Sequence, residues 1–168
     1  MAFEAPADLD VVDYIAQTKA SYDALGYDSY RWAENTEPAP LVKPAKPLHE
    51  SRVVLIASGG IYRRGQIAFH HHDDTSFRRI PTDVDIDQLR TSHFAYDQSA
   101  ARRDPNVVFP IGTLRRLVAE KTLGGLTRDA LSFMGGIYSQ RRLREDLLPR
   151  LVARVREMQA DLALLVPV

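Results

Sequence analysis

The 168-residue sequence contains no cysteine. Disulfides, thiolate metal sites and a cysteine nucleophile are therefore excluded from the residues present. No apolar run approaches the roughly 20 residues that a membrane helix needs. Surplus charge is missing too, because 22 Lys and Arg balance 22 Asp and Glu. Neither a nucleic acid nor an anionic membrane surface is an expected partner without a positive surplus. The opening MAFEAPADLD lacks the basic and apolar segments of a secretory signal, so the expected location is cytoplasmic. What remains is ordinary for a globular chain: 45% apolar and 26% charged residues, with length for one domain and its core.

Between Asp10 and Gly26, Val11, Ile15, Thr18, Tyr22 and Leu25 recur at helical spacing, with Asp8 or Asp10 as N-cap and Gly26 as the stop. Pro38, Pro40, Pro44 and Pro47 then mark an extended arm. Residues 1–50 thus read as a helix and a proline-rich arm, and 51–168 as the main domain. Ser51–Ser58, SRVVLIAS, is apolar on both faces, as a strand of a covered parallel sheet must be. Residues 61–110 carry no strong periodicity. Their length and scattered aromatic residues point to an ordered, functional segment. Ile111, Leu114, Leu117 and Val118 line a helix closed by Gly124-Gly125, and Leu126–Met134 reads as a second strand. Leu143, Leu147, Leu151, Val155 and Met158 mark a long helix, which Pro149 kinks or restarts. LALLVPV, at 162–168, reads as another buried strand. The expected fold class is α/β, an open and mostly parallel sheet with helices on both faces.

Ligands of such sheets bind at the carboxyl ends of strands. Here those ends are Ser58-Gly59-Gly60, Met134-Gly135-Gly136 and Pro167-Val168, where glycines let a ligand approach the backbone or simply make tight turns. His70, His71, His72, Asp73 and Asp74 form a run of potential ligands, followed by His93 and Asp97 at i, i+4. Neighbouring side chains diverge, so a solvated turn is the favoured account and metal binding by these residues the alternative. Asp74-Thr75-Ser76 with Arg78-Arg79 either fixes a substrate carboxylate or forms a self-capped turn whose arginines pair with Asp83, Asp85 and Asp87.

Taken in order, LIASGGIYRRGQ, DTSFRRIP, LRTSHFAYDQSAARRDPNVVFP, LSFMGGI and ADLALLVPV resemble the selenoprotein B family of glycine, sarcosine and betaine reductases, with D-proline reductase as a relative. The likeness covers about Ser51 to Val168. It implies reductive cleavage of a C–N bond of an amino acid or similar small molecule by a selenocysteine or cysteine in a U-x-x-C or C-x-x-C motif. That motif follows the strand which LALLVPV resembles, where a helix N-terminus would keep the nucleophile ionised. It also implies that Ser58, Gly59, Gly60, Asp74, Thr75, Ser76, Arg78, Tyr96 and Asn106 line or shape the substrate site, with His93 and Asp97 as catalytic candidates. His93 is the natural proton donor or acceptor.

Two departures stand out. Arg79 replaces an expected acidic residue, and the histidine run replaces a less basic, glycine-containing turn. No cofactor is expected in the chain itself. The resemblance leads to the expectation that a selenocysteine codon, UGA read as stop, follows Val168, and that a pyruvoyl group could reside on a partner subunit. Without that nucleophile, the chain is expected to be inactive alone and to form a homo-oligomer or a hetero-complex with other reductase subunits. Two other classes compete: a metal-dependent lyase or hydrolase using His70–His72, Asp73, Asp74 and His93, and a non-catalytic subunit that holds a small carboxylate.

Overall fold

The computed structural model describes residues 13–28 and 34–168. These fall into two units, dividing between Val42 and Lys43. In the first unit, helix α1 spans Tyr14–Ala24. Its described cap is Asp13, whose carboxylate accepts the Ala16 N–H at 3.0 Å. The expected caps Asp8 and Asp10, and Val11, lie outside the described residues. Gly26 ends the helix as expected, at φ +73°. The Tyr27 and Gly26 amides return to the Tyr22 and Asp23 carbonyls, a glycine-closed helix end.

In the second unit, strand β1 (Arg52–Ala57) is the centre of the sheet. Its valines, leucine and isoleucine are buried on both faces, as the continuous apolar run predicts. The second predicted strand is split into β5 (Gly125–Leu126) and β6 (Asp129–Phe133), which both run parallel to β1 along one side. The sheet is mixed because β3 (Phe77–Pro81) adds antiparallel to β6. A separate antiparallel pair joins β2 (Ile61–Arg63) to β4 (Leu89–Thr91). These three strands, with the short helix α2 (Ser99–Arg103), occupy the stretch without sequence periodicity. Strands this short offer too few alternating positions to register as a pattern.

Helices cover both faces. On one, Leu114 of α3 (Ile111–Ala119) joins Val53, Leu55 and Ala57 in a core that includes Phe109 and Ile80. On the other, Leu147 and Leu151 join Val54, Ile56 and Leu131. The long C-terminal helix is broken into α4 (Gln140–Arg142), a wide π-helical turn at Leu143–Leu147, and α5 (Leu148–Glu157). Pro149 stands in the first turn of α5, where its missing N–H costs nothing, so the helix restarts there.

Strand β7 (Leu162–Val166) runs parallel to β1 over five register pairs, Val53–Leu162 to Ala57–Val166. It was expected to be buried, and it is not. Among the described residues it pairs on one side only, and Leu165 is 67% exposed. An apolar run alone does not distinguish an edge from a centre. No helix among the described residues is long and apolar enough to cross a membrane.

Candidate functional site

Strands β1, β6 and β7 all reach the same end of the sheet, and their tips meet. The Ser58 amide donates to the Val166 carbonyl at 3.1 Å. Its hydroxyl accepts the Val168 N–H at 2.9 Å, and its carbonyl accepts the Gly135 N–H at 2.8 Å. Ser58 thereby ties together the three predicted strand ends. Gly60 sits at φ +68°, and a Cβ there would lie 2.1 Å from the Ser92 carbonyl oxygen. Only glycine fits. At Gly59, the carbonyl accepts from the Tyr96 hydroxyl (2.9 Å) and the Thr91 hydroxyl (3.2 Å). A Cβ on Gly59 would press on Val108 at 2.8 Å and on Val168 at 3.3 Å.

His93 lies against these glycines with 2% of its surface exposed. Its ring centroid is 4.6 Å from that of Tyr96. The Ala95 N–H donates to Nδ1 at 3.1 Å, while Nε2 is buried without a hydrogen-bond partner. Burial pushes the imidazole below its ordinary pKa, opposed by the nearby Ser58 carbonyl. Burial likewise raises the Tyr96 phenol, with the Thr91 hydroxyl and Arg102 acting against it. Asp97 is elsewhere. The 92–98 stretch is not helical, so the i, i+4 relation to His93 does not bring the two together. Asp97 is exposed and accepts the Ser99 N–H at 2.9 Å at the start of α2. The Ser99 hydroxyl and amide hold its carboxyl below the usual range.

The charged turn has a different character. Burial tends to raise the Asp74 carboxyl, but hydrogen bonds from the Ser76 hydroxyl and from the His70 and Ser76 amides hold it low. Asp73, at φ 45° and 7% exposed, accepts the Ser139 amide at 3.1 Å and the Tyr138 amide at 2.6 Å. The Ser139 amide is the main reason its carboxyl is held low, against the effect of burial. Thr75 hydrogen-bonds Asp146 through its hydroxyl and accepts from Arg150 through its carbonyl at 2.9 Å. Arg78 donates to the Ile67 carbonyl (2.7 Å) and the Ser76 hydroxyl (2.7 Å), with its guanidinium 4.3 Å from the centre of the Phe69 ring. Arg79 pairs with Asp129 at 2.6 Å, not with the aspartates at 83, 85 and 87. An open cleft of about 750 Å³ is lined by Arg78, Asp74, Ser76, Phe69 and His70. Asn106 is apart from it: its Oδ1 accepts the Gly112 N–H at 2.7 Å, clipping the first turn of α3.

The structure thus brings Ser58, Gly59, Gly60, His93 and Tyr96 together, sets Asp74, Ser76 and Arg78 around a neighbouring cleft, and leaves Asp97 and Asn106 as local caps. The two groups adjoin, since the Ser92 hydroxyl donates to the Phe69 carbonyl at 3.2 Å and the His71 ring lies 5.8 Å from that of Phe94. Among the described residues, no three His, Asp or Glu side chains are grouped to hold a metal ion. The structure adds two details at and near the end of β6. The Gly136 N–H meets only the Met134 sulfur, at 3.1 Å, and the Ser132 hydroxyl accepts the Ile61 amide at 2.9 Å. Gly136 belongs to a strand end named from the sequence, whereas nothing in spacing marks Ser132.

Comparison with known proteins agrees with this arrangement of motifs. Residues 29–146 match the family model described as glycine/sarcosine/betaine reductase selenoprotein B. The D-proline reductase subunit gamma of Acetoanaerobium sticklandii is 31% identical over 129 residues, which is 76% of this chain and 53% of that protein. The chain therefore spans about half the length of that relative. No solved structure matches it. With its motifs matched in order over most of its length, the chain belongs to the glycine/sarcosine/betaine reductase selenoprotein B family.

Proposed function

We propose that this chain is the substrate-holding part of a reductase subunit that cleaves a C–N bond of an amino acid or related small molecule. The observation that carries the reading is the meeting of the β1, β6 and β7 tips through Ser58, beside His93. A selenol or thiol carried on the residue after Val168 would stand at that meeting point, and it would supply the nucleophile that this cysteine-free sequence lacks. The residues present suit such a group: Gly59 and Gly60 let Val108, Val168 and Ser92 pack closely around the strand tips, and buried His93 with half-buried Tyr96 limits water there. The neighbouring cleft lined by Arg78, Asp74 and Ser76 holds and orients the substrate. The related D-proline reductase chain is named as a subunit, which supports assembly with other reductase subunits, a pyruvoyl group residing on one of them. Cytoplasmic placement accords with this assignment.

The test compares the 168-residue chain with one extended by the next codons, with selenocysteine or cysteine at the first. Dithiol-dependent reductive C–N cleavage of glycine, sarcosine, betaine or proline, assayed with partner subunits, is expected only from the extended chain. Equal turnover by the 168-residue chain overturns the reading, as does an extended genomic frame without a selenocysteine or cysteine codon.

A further inference from the structure

Residues 58–60, at the end of β1, present three successive carbonyls, and one segment, residues 91–96, brings a polar group up to each. The Gly60 carbonyl accepts the Ser92 N–H at 2.9 Å. The Gly59 carbonyl takes the Thr91 and Tyr96 hydroxyls. The Ser58 carbonyl is the polar neighbour of the His93 imidazole. That ring is also held through Nδ1, to which the Ala95 N–H donates at 3.1 Å. An amide can only donate, so Nδ1 carries a lone pair and the ring proton belongs on Nε2. Nε2 is buried and stops short of a full hydrogen bond, which leaves the Ser58 carbonyl as the acceptor beside it. The Gln98 side chain fastens the same segment by donating to the His93 carbonyl.

We propose that His93 is a positioning residue: as the neutral Nε2–H tautomer it steadies the Ser58 carbonyl, and through Ser58 the meeting tips of β1, β6 and β7. The proposal rests on the function given above and narrows it, since it gives His93 a place in holding the site and none in proton transfer. Its influence reaches the tips by bonds that Ser58 already makes. The Ser58 carbonyl also accepts the Gly135 N–H beyond β6, and the Ser58 hydroxyl accepts the Val168 N–H beyond β7. The two sides of the ring make opposite demands, an acceptor at Nδ1 and a donor at Nε2, and only the neutral imidazole meets both. Protonation would set a second N–H against that of Ala95. Burial opposes that charged form. Among the described residues, Tyr96 is the titratable side chain packed against the ring, and Arg102 of α2 acts on Tyr96. Neither a carboxylate nor a cation is coupled to His93 itself.

The test is read on the 168-residue chain without substrate, so its failure leaves the function above standing; that function fails separately, in the assay of the extended chain. ¹⁵N NMR of the histidine rings, with His93→Gln to assign the His93 signals, is expected to show a neutral Nε2–H tautomer at about pH 7. Amide hydrogen exchange then compares three variants. His93→Phe keeps a buried ring but removes donor and acceptor, and should speed exchange at Ala95, Gly135 and Val168 about 10-fold more than in the rest of the sheet. Leu147→Ala, in the core on the opposite face, weakens the whole protein and should not single out these three amides. His93→Gln can accept from Ala95 and donate to Ser58, and should restore most of the protection. Acid below the ordinary histidine range should loosen the three amides in the unsubstituted chain and not in His93→Gln. An Nδ1–H tautomer or a charged ring at about pH 7 overturns the proposal. So does a glutamine variant as loose as the phenylalanine one, or an exchange pattern that His93→Phe shares with Leu147→Ala. Should His93→Phe fail to fold, the tautomer and the acid response of the unsubstituted chain against His93→Gln decide.

Discussion

The turn at His70–Arg78 is far richer in charge than the tips of β1 and β6, yet its polar atoms are the better satisfied. Asp73, Asp74, Thr75 and Arg78 spend their hydrogen bonds on nearby amides, carbonyls and helix residues. The strand tips hold almost no charge, but there a histidine donor is unmatched and a glycine amide is met only by sulfur. Charge density in this protein thus goes with satisfied hydrogen bonds, and two under-matched polar atoms lie at the nearly uncharged strand tips. The physical reason is that a buried donor without a partner costs stability, whereas a self-capped turn costs none.

The contrast is sharpest at Gly60. Replacement by alanine forces a left-handed residue and a Cβ onto the Ser92 carbonyl. It should cost about 3 kcal/mol or prevent folding, read by urea denaturation. Asp73→Ala removes the acceptor of two backbone amides that join the turn to the end of β6. A loss of about 2 kcal/mol is expected. Because the Asp73 carboxyl is held low, its contribution is present above the unfolded carboxylate pKa and lost as pH falls through the folded one. The variant should therefore show a flatter acid limb below about pH 4. Were the Asp73 carboxylate a ligand group, this variant would abolish substrate binding; it is expected to weaken stability and leave binding in place.

Arg78→Lys keeps the charge but cannot reproduce the planar fork over Phe69. About 1 kcal/mol and local loosening at residues 65–69, seen as faster amide exchange, are expected. A smaller, pH-dependent effect belongs to His93. Its folded pKa is depressed, so the unfolded chain binds the extra proton first as pH drops. Stability should fall below about pH 6.5 until the folded imidazole also ionises, and His93→Gln should remove that slope. Smallest of all, Asp97→Ala loses only an exposed carboxylate that accepts the Ser99 amide beside a five-residue helix, and little change in stability is expected. Its effect on substrate binding should be nil; a loss of binding would move the site away from the Arg78 cleft.

Much of this was legible in the residues. SRVVLIAS gave the central strand because a strand covered on both faces must be apolar throughout. Gly26 and Pro149 marked a helix end and a helix restart because each restricts the backbone in a known way. The segment quoted from Leu89 to Pro110 carried the family. Strands β2, β3 and β4 were not legible, since three to five residues half-covered by one neighbour leave no alternation to read. The His93–Asp97 spacing misled because it has meaning only on a helix, and the chain there turns toward α2 instead.

The sequence alone determined the parallel α/β core, the glycines at its strand ends and the family, because these depend on local sterics, burial and ordered motifs. Only the tertiary structure decided which polar residues are spent and which are spare. Asp74 and His93 look equally reactive in a string of letters. One is surrounded by amides from its own turn, the other is buried beside the Ser58 carbonyl at the strand tips, and that difference arises only when distant strands meet.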